Sequence, residues 1–183
     1  NYMSLKEYQK KRHFNSTPEP EGDLSGSPNR IPVFVIQKHE TEHFHFDFRL
    51  EVNGVLKSWL LPKGPSMNPK DKRLAIQMED YPLSYAHFEG VIPEGNYGAG
   101  TIEIWDNGTY AYIDKSIDIA EAIEKGMFEF KLHGHKLKGL FTIVRTNMDG
   151  NDNNWLLMKK DDVFAVAHVY DAKEIPAYDG VFL

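Results

Sequence analysis

The side chains best suited to chemistry stand close together, in His43-Phe44-His45-Phe46-Asp47-Phe48-Arg49-Leu50-Glu51. Polar and apolar residues alternate here without a break, which is the period of an extended strand whose successive side chains point to opposite faces. One face is fit for a core; the other gathers imidazoles, a carboxylate and a guanidinium. Residues two apart on a strand lie roughly 6.5 Å apart, so His45 and Asp47 can converge on one cation that each approaches to about 2.0–2.2 Å. A third ligand must come from elsewhere. His39 is the nearest candidate if the chain bends across Glu40–Glu42, because a fully extended segment would leave it about 20 Å away. Imidazole and carboxylate together suit manganese, iron or zinc, and the lack of any cysteine argues against a structural zinc site. The alternative is a half-buried strand with a polar outer face, a common pattern in antiparallel sheets.

The elements around this strand must position those groups. Asn53-Gly54 is a strong hairpin signal, because both central positions of a type I′ turn need positive φ. Strand 44–52 should fold back on 55–61 and set Val52 against Val55, Phe48 against Trp59 and Phe46 against Leu61. The same count brings Pro62-Lys63-Gly64-Pro65-Ser66 beside Phe44 and His45, which delivers a lysine to the metal end. Ile31–Lys38 reads as a first strand. Arg73–Asp80 alternates, with Leu74, Ile76 and Met78 on one side and a polar working face on the other, and 84–89 continues as strand with Tyr85 and His87 on one face.

Thr101–Trp105 and Thr109–Ile113 read as a hairpin about Asp106-Asn107-Gly108. Pro93–Gly100 lacks the lysine and hydroxyl of a P-loop and precedes a strand, so it reads as a tight connection rather than a phosphate cradle. Ser116–Lys125 reads as a helix capped by Ser116 or Asp118 and closed by Gly126. Three more strands follow at 127–133, 139–146 and 154–160, the last two joined by the turn 147–153. His133 and His135, with no carboxylate beside them, read as surface histidines. Many short strands with one or two short helices predict a mainly β fold, a compact antiparallel β-barrel with an N-terminal arm and with the ligands bunched at its mouth. The expected division is an N-terminal helix and arm over 1–30, the barrel over 31–165 and a tail over 166–183.

Read together, His39, His45-Phe46-Asp47-Phe48-Arg49-Leu50-Glu51, Gly54-Val55-Leu56-Lys57-Ser58-Trp59, Pro62-Lys63-Gly64-Pro65-Ser66, Phe88-Glu89-Gly90 and Ile92-Pro93-Glu94-Gly95 resemble the 3′-phosphoesterase domain of bacterial DNA ligase D and its free-standing relatives. Lys11-Arg12-His13-Phe14 and Thr17-Pro18-Glu19-Pro20 extend the likeness towards the start of the chain. The resemblance implies an enzyme that removes a 3′-phosphate or a 3′-terminal ribonucleoside from a primer–template end. A 3′-hydroxyl would then be left for a separate polymerase or ligase. It implies His39, His45 and Asp47 as ligands of Mn2+, with Co2+ or Zn2+ as alternatives. Arg49, Lys63, Arg73 and Tyr85 match phosphate-contacting positions. Arg12 and Glu19 match substrate contacts of an arm lying over the site, and His13 stands where the family has aspartate. Glu79 matches a position tied to the ribonucleoside step. Tyr81 stands where bacterial relatives carry histidine, so a weaker phosphatase step or an altered pH profile is expected, with nearby His87 able to compensate.

The 183 residues suit one domain that buries about 70% of its unfolded surface. No apolar run reaches the roughly 18 residues of a membrane span and no secretory signal is read, so a cytoplasmic protein is expected. Met3 is read as the native start. A net charge of −6 speaks against a broad duplex-binding surface, but not against a site that grips one strand end through Arg49, Lys63 and Arg73. Two rival classes remain: a non-haem iron oxygenase barrel, which shares the His-x-Asp pattern, and a non-catalytic strand-end binding module.

Overall fold

Most strands fall where the alternation predicts them, but two expected elements do not form. The computed structural model describes residues 2–22, 30–147 and 150–177. Parts of the expected arm (23–29), the turn at 147–153 (148–149) and the tail (178–183) lie outside the described residues. The strands are β1 (Val33–Glu40), β2 (Phe44–Val52), β3 (Val55–Leu61), β4 (Arg73–Gln77), β5 (Tyr81–Pro82), β6 (Gly90–Ile92), β7 (Gly100–Tyr112), β8 (Met127–Gly134), β9 (Lys138–Arg145) and β10 (Asn154–Lys159). Two short helices accompany them, α1 (Lys6–Lys10) and α2 (Ile119–Lys125).

Pairing runs β1-β2-β3-β4-β10-β9-β8-β7, and β7 pairs back onto β1. Eight strands of the described residues thus close into an antiparallel barrel, while β5 and β6 pair outside the ring. Closure removes the free edges that would otherwise template association. Asn53 and Gly54 adopt φ of 52° and 85°, as the turn demands, and the register sets Val52 against Val55, Phe48 against Trp59 and Phe46 against Leu61. The interior is solidly aromatic. Phe48 and Phe130 stack at 5.7 Å between ring centroids, Phe130 and Phe141 at 5.9 Å, and Trp59, Trp105 and Trp155 are all buried. Truncating one such ring to alanine costs about 3–5 kcal/mol. The described part of the tail joins this core through Tyr170 and Ala172, and Trp105 Nε1 donates to Ile175 O at 2.9 Å.

The expected hairpin at 106–108 is instead the middle of one long strand, β7. Asp106, Asn107 and Gly108 pair with Ile36, Val35 and Phe34, and a register shift between Ile36 and Gln37 absorbs the irregularity. Gly108 is there for a close approach rather than for a turn: a Cβ added to it would stand 2.1 Å from His133 O. Asp106 turns its carboxylate to the neighbouring β8–β9 turn, where it accepts from the backbone N–H groups of His135, Lys136 and Leu137.

The second exception is 84–89, which is no strand. Leu83–His87 is a 3-10 helix, so Tyr85 is buried while His87 is exposed. In β4 the faces are opposite to the expectation: Ala75 belongs to the barrel core and Gln77 accepts from Trp155 Nε1, whereas Leu74 is exposed. The helix Ile119–Lys125 is capped by Asp118, whose carboxylate accepts from Ala120 N, and closed by Gly126 at φ 92°. His133 and His135 are exposed on and beside the end of β8.

Candidate active site

The strands β1 and β2 are covered on both faces. Their Phe34, Ile36, Phe46, Phe48 and Leu50 point into the barrel, while Val35 joins an outer cluster with Tyr8, Tyr81, Tyr85, Phe88, Ile102 and Ile104. The polar residues of β2 share that outer parity. The candidate site therefore sits on the outer wall of the barrel, under the N-terminal segment and the 81–88 connection. The mouth, where the ligands were expected, is not its location. A filled aromatic interior leaves no room there for charged groups.

Direct cross-strand pairing brings the candidate ligands together. The bend at 41–43, held by Thr41 Oγ1 donating to His43 O at 2.9 Å, returns the chain so that His39 lies opposite His45 and Gln37 opposite Asp47. The donor atoms of His39, His45 and Asp47 all fall within 4.8 Å of one another. Asp47 Oδ2 lies 3.3 Å from His45 Nε2 and 3.7 Å from His39 Nδ1. The other nitrogen of His39, Nε2, is 2.7 Å from Gly98 O. A carbonyl only accepts, so Nε2 carries a proton and Nδ1 is the nitrogen turned to the site, the arrangement usual for a metal-ligating histidine. The loop before β7 makes that contact possible with Gly98 at φ 75°, a left-handed conformation that favours glycine.

Asp47 completes an anionic donor set. Burial opposes its charge, but the Arg49 guanidinium and hydrogen bonds from His39 and His45 outweigh burial and hold the carboxyl well below the usual carboxylate range. Two imidazole nitrogens and one ionised carboxylate match the donor set of a divalent first-row cation, so these residues fit such an ion.

Arg49 is almost fully buried, with Nη2 3.5 Å from Asp47 Oδ2. Its Nε donates to Gln37 Oε1 at 2.8 Å and its Nη1 to Ser58 Oγ at 2.9 Å, and its guanidinium lies 3.6 Å from the centroid of the Tyr81 ring. Gln37 in turn donates to the carbonyls of Tyr85 and Phe88, which ties the 3-10 turn to the barrel wall. Neither Gln37 nor Ser58 is singled out by the sequence. The signal available was register: Ser58 lies opposite Arg49 across the hairpin, and Gln37 shares the outer parity of His39.

A cavity of about 170 Å³ opens over these groups. Arg12, Glu19, His39, His45, Asp47, Arg49, Tyr81, Tyr85, Tyr97 and Gly98 are among its walls. Glu19 is buried and accepts from Arg12 Nε at 2.9 Å, Tyr85 Oη at 2.7 Å and Thr17 Oγ1 at 3.0 Å. Arg12 Nη2 also donates to Tyr81 Oη at 3.1 Å. Burial pushes the phenols of Tyr81 and Tyr85 up, against the pull of Arg49, so both remain protonated donors.

The remaining predicted residues stand apart from the cavity. Lys63 is exposed, and its carbonyl accepts from Arg73 Nη1. Arg73 also donates to Tyr170 O at 2.5 Å and lies 3.4 Å from Asp71 Oδ2, so in this structure it secures the C-terminal segment. His13 is exposed, and His87 does not line the cavity. Glu79 pairs with Lys11 at 3.0 Å, and its second oxygen is buried without a hydrogen-bond partner. No helix of the described residues is long and apolar enough to cross a membrane.

A closed antiparallel barrel that carries a two-histidine, one-aspartate cluster and a buried arginine on its outer wall is a definable class of domain. The family profile described as "DNA Ligase D 3'-phosphoesterase domain" matches residues 37–145, and the chain belongs to that family. It is 47% identical over 163 residues to the multifunctional non-homologous end joining protein LigD of Pseudomonas aeruginosa, covering 86% of this chain and 19% of that protein. It is 43% identical over 145 residues to the multifunctional non-homologous end joining DNA repair protein LigD of Mycobacterium tuberculosis, covering 79% and 19%. With the LigD of Mycolicibacterium smegmatis it shares 34% over 163 residues, covering 86% and 21%. The chain thus spans about a fifth of the length of these relatives.

Proposed function

We propose that the chain is a divalent-metal-dependent phosphoesterase of DNA 3′ ends. In this reading it removes a 3′-phosphate or a 3′-terminal ribonucleoside from a primer–template and leaves a 3′-hydroxyl for a polymerase or ligase in end joining. The observation that carries the reading is the convergence of His39, His45 and Asp47 within 4.8 Å beside a buried guanidinium. His39 through Nδ1, His45 through Nε2 and Asp47 would hold the ion, with manganese first and cobalt or zinc as substitutes. When bound, the cation supplies Lewis-acid polarisation of a phosphoryl oxygen.

The chain's own residues do the rest. Arg49, fixed by Gln37 and Ser58, presents a preorganised planar cation to the phosphate oxygens, so no reorganisation is needed as their charge grows. Tyr85 keeps its proton and so can donate to an oxygen, as can Tyr81, although its hydroxyl lacks the charge of an imidazolium. Arg12 and Glu19 bring the N-terminal segment over the cavity, where they exclude water and contact the terminal nucleotide. Glu79 lies outside the cavity and acts on the ribonucleoside step only through Lys11, which it holds at 3.0 Å. Lys63, Arg73 and His13, which lie outside the cavity, carry no step within it. Anaerobic release of phosphate from a 3′-phosphorylated end separates the reading from an oxygenase, and turnover separates it from a mere end-binding module.

The test is a labelled primer–template ending in a 3′-phosphate or one 3′-ribonucleotide, incubated with manganese, magnesium, zinc or chelator. Metal-dependent release of phosphate or ribonucleoside is expected. Binding of the end with no product in any metal would overturn the proposal.

A further inference from the structure

We propose that Tyr97 is the platform on which the base of the terminal nucleotide stacks, with Lys11 beside it, so that the strand enters from the side of the N-terminal segment. This rests on the 3′-end reading given above. Three tyrosines line the cavity, and they differ in what they do. Tyr81 and Tyr85 are buried and hydrogen-bonded to Arg12 and Glu19, whereas Tyr97 is 42% exposed at the rim. An aromatic ring left half open beside a phosphate-directed site offers a π face to a base, and every base has one to return.

The position of that ring is tied to the ligands. Gly98, the next residue, gives its carbonyl to His39 Nε2 at 2.7 Å, and consecutive Cα atoms lie about 3.8 Å apart. A nucleotide whose phosphate lies between the triad and Arg49 therefore has its sugar and base within reach of Tyr97. Two ion-paired cations reach over the same ring. Lys11 Nζ lies 4.7 Å and the Arg12 guanidinium 5.4 Å from the ring centroid, and Lys11 is held there by Glu79 Oε2 at 3.0 Å. A second groove is unsuited to a polyanion. It has a volume of about 980 Å³ and adjoins the cavity at Thr41, Ile92 and Gly98, and Glu40, Glu42 and Glu94 stand exposed along it. Like charges there repel a phosphodiester backbone, whereas at the Tyr97 rim the carboxylates of Glu79 and Glu19 are each matched by Lys11 and Arg12.

The experiment compares matched 3′-phosphate ends whose terminal nucleotide either carries a base or is abasic. The wild-type chain is expected to lose about tenfold or more in kcat/KM on the abasic end, mainly through KM. Tyr97→Ala should show the same loss on the base-bearing end and no further loss on the abasic one. Tyr97→Trp and Tyr97→Phe should stay near wild type, because the ring rather than the hydroxyl makes the contact. Equal losses by Tyr97→Ala on both ends, or a Tyr97→Phe as poor as Tyr97→Ala, would overturn the platform while leaving the 3′-end reading intact. A wild type that releases phosphate from neither end overturns both, and a melting curve for Tyr97→Ala separates either outcome from loss of fold.

Discussion

Replacing Arg49 by methionine tests the construction of the site without any substrate. The guanidinium makes two charge-assisted hydrogen bonds, to Gln37 Oε1 at 2.8 Å and Ser58 Oγ at 2.9 Å, and faces the buried carboxylate of Asp47 at 3.5 Å. Hydrogen bonds to charged groups contribute about 1.5–3 kcal/mol each, so the pair is worth about 3–6 kcal/mol. Breaking a buried ion pair from one side costs about 3–5 kcal/mol, an independent figure of the same size. For a chain of this length each kcal/mol moves Tm by about 2–4 °C, so Arg49→Met should melt about 6–20 °C below wild type.

The pH dependence carries its own sign. Because the Asp47 carboxyl is depressed in the folded chain, its contribution is fully present above the unfolded value of about 3.9 and is lost as pH falls towards the lower folded value. Without Arg49 burial dominates and the folded value climbs towards or above the unfolded one, so the Asp47 contribution to acid loss shrinks or reverses and the melting deficit of Arg49→Met should narrow as pH falls. Arg49→Lys keeps a charge for Asp47 but cannot reach both Gln37 and Ser58, so it should recover only part of the loss. Differential scanning calorimetry of metal-free protein between pH 3 and 8 measures all of this. An Arg49→Met that melts within about 2 °C of wild type with an unmoved acid limb would refute the account.

Other outcomes follow from the same geometry. A cation that binds only the folded chain stabilises it by about 2.7 kcal/mol at a hundred times its Kd, so manganese should raise Tm by roughly 5–10 °C in the wild type and not in His45→Ala, as a thermal-shift titration would show. Tyr81→His places a group that titrates between pH 5 and 8 where a buried phenol stays neutral, so phosphate release should gain a pH-dependent limb. Superimposable profiles would count against that expectation. Asp118→Ala removes the carboxylate that accepts from Ala120 N, which should cost about 1 kcal/mol, read as a Tm lower by about 2–4 °C with phosphatase activity unchanged.

The hairpin of β2 and β3 was fully legible, because Asn53-Gly54 fixes the turn and alternation fixes the faces. Ring closure followed from strand count and spacing. The choice between barrel mouth and outer wall did not, since period-two patterning separates two faces without saying what covers each. Here Tyr8, Tyr81 and Tyr85 cover the outer one. The 3-10 turn at 83–87 imitates a strand over a few residues, and Asp106-Asn107-Gly108 imitates a turn although its acid and its glycine serve β8 and the β8–β9 turn. Glu19 emerged only through resemblance, and Gln37 and Ser58 not at all, because their roles depend on contacts such as Glu19 with Tyr85, 66 positions apart in the chain.

The bend at 41–43 has a consequence for how this lineage can drift. It is the spacer that brings His39 opposite His45, and β2 beyond it alternates between a packed interior and a chemically active exterior. Losing a single residue there, with the pairing otherwise kept, would shift β2 by one position. That shift would drive Asp47 and Arg49 in among the phenylalanines and turn Phe46 and Phe48 outward. Insertions and deletions in that bend should be purged far more severely than substitutions, so its length is a signature more durable than its letters.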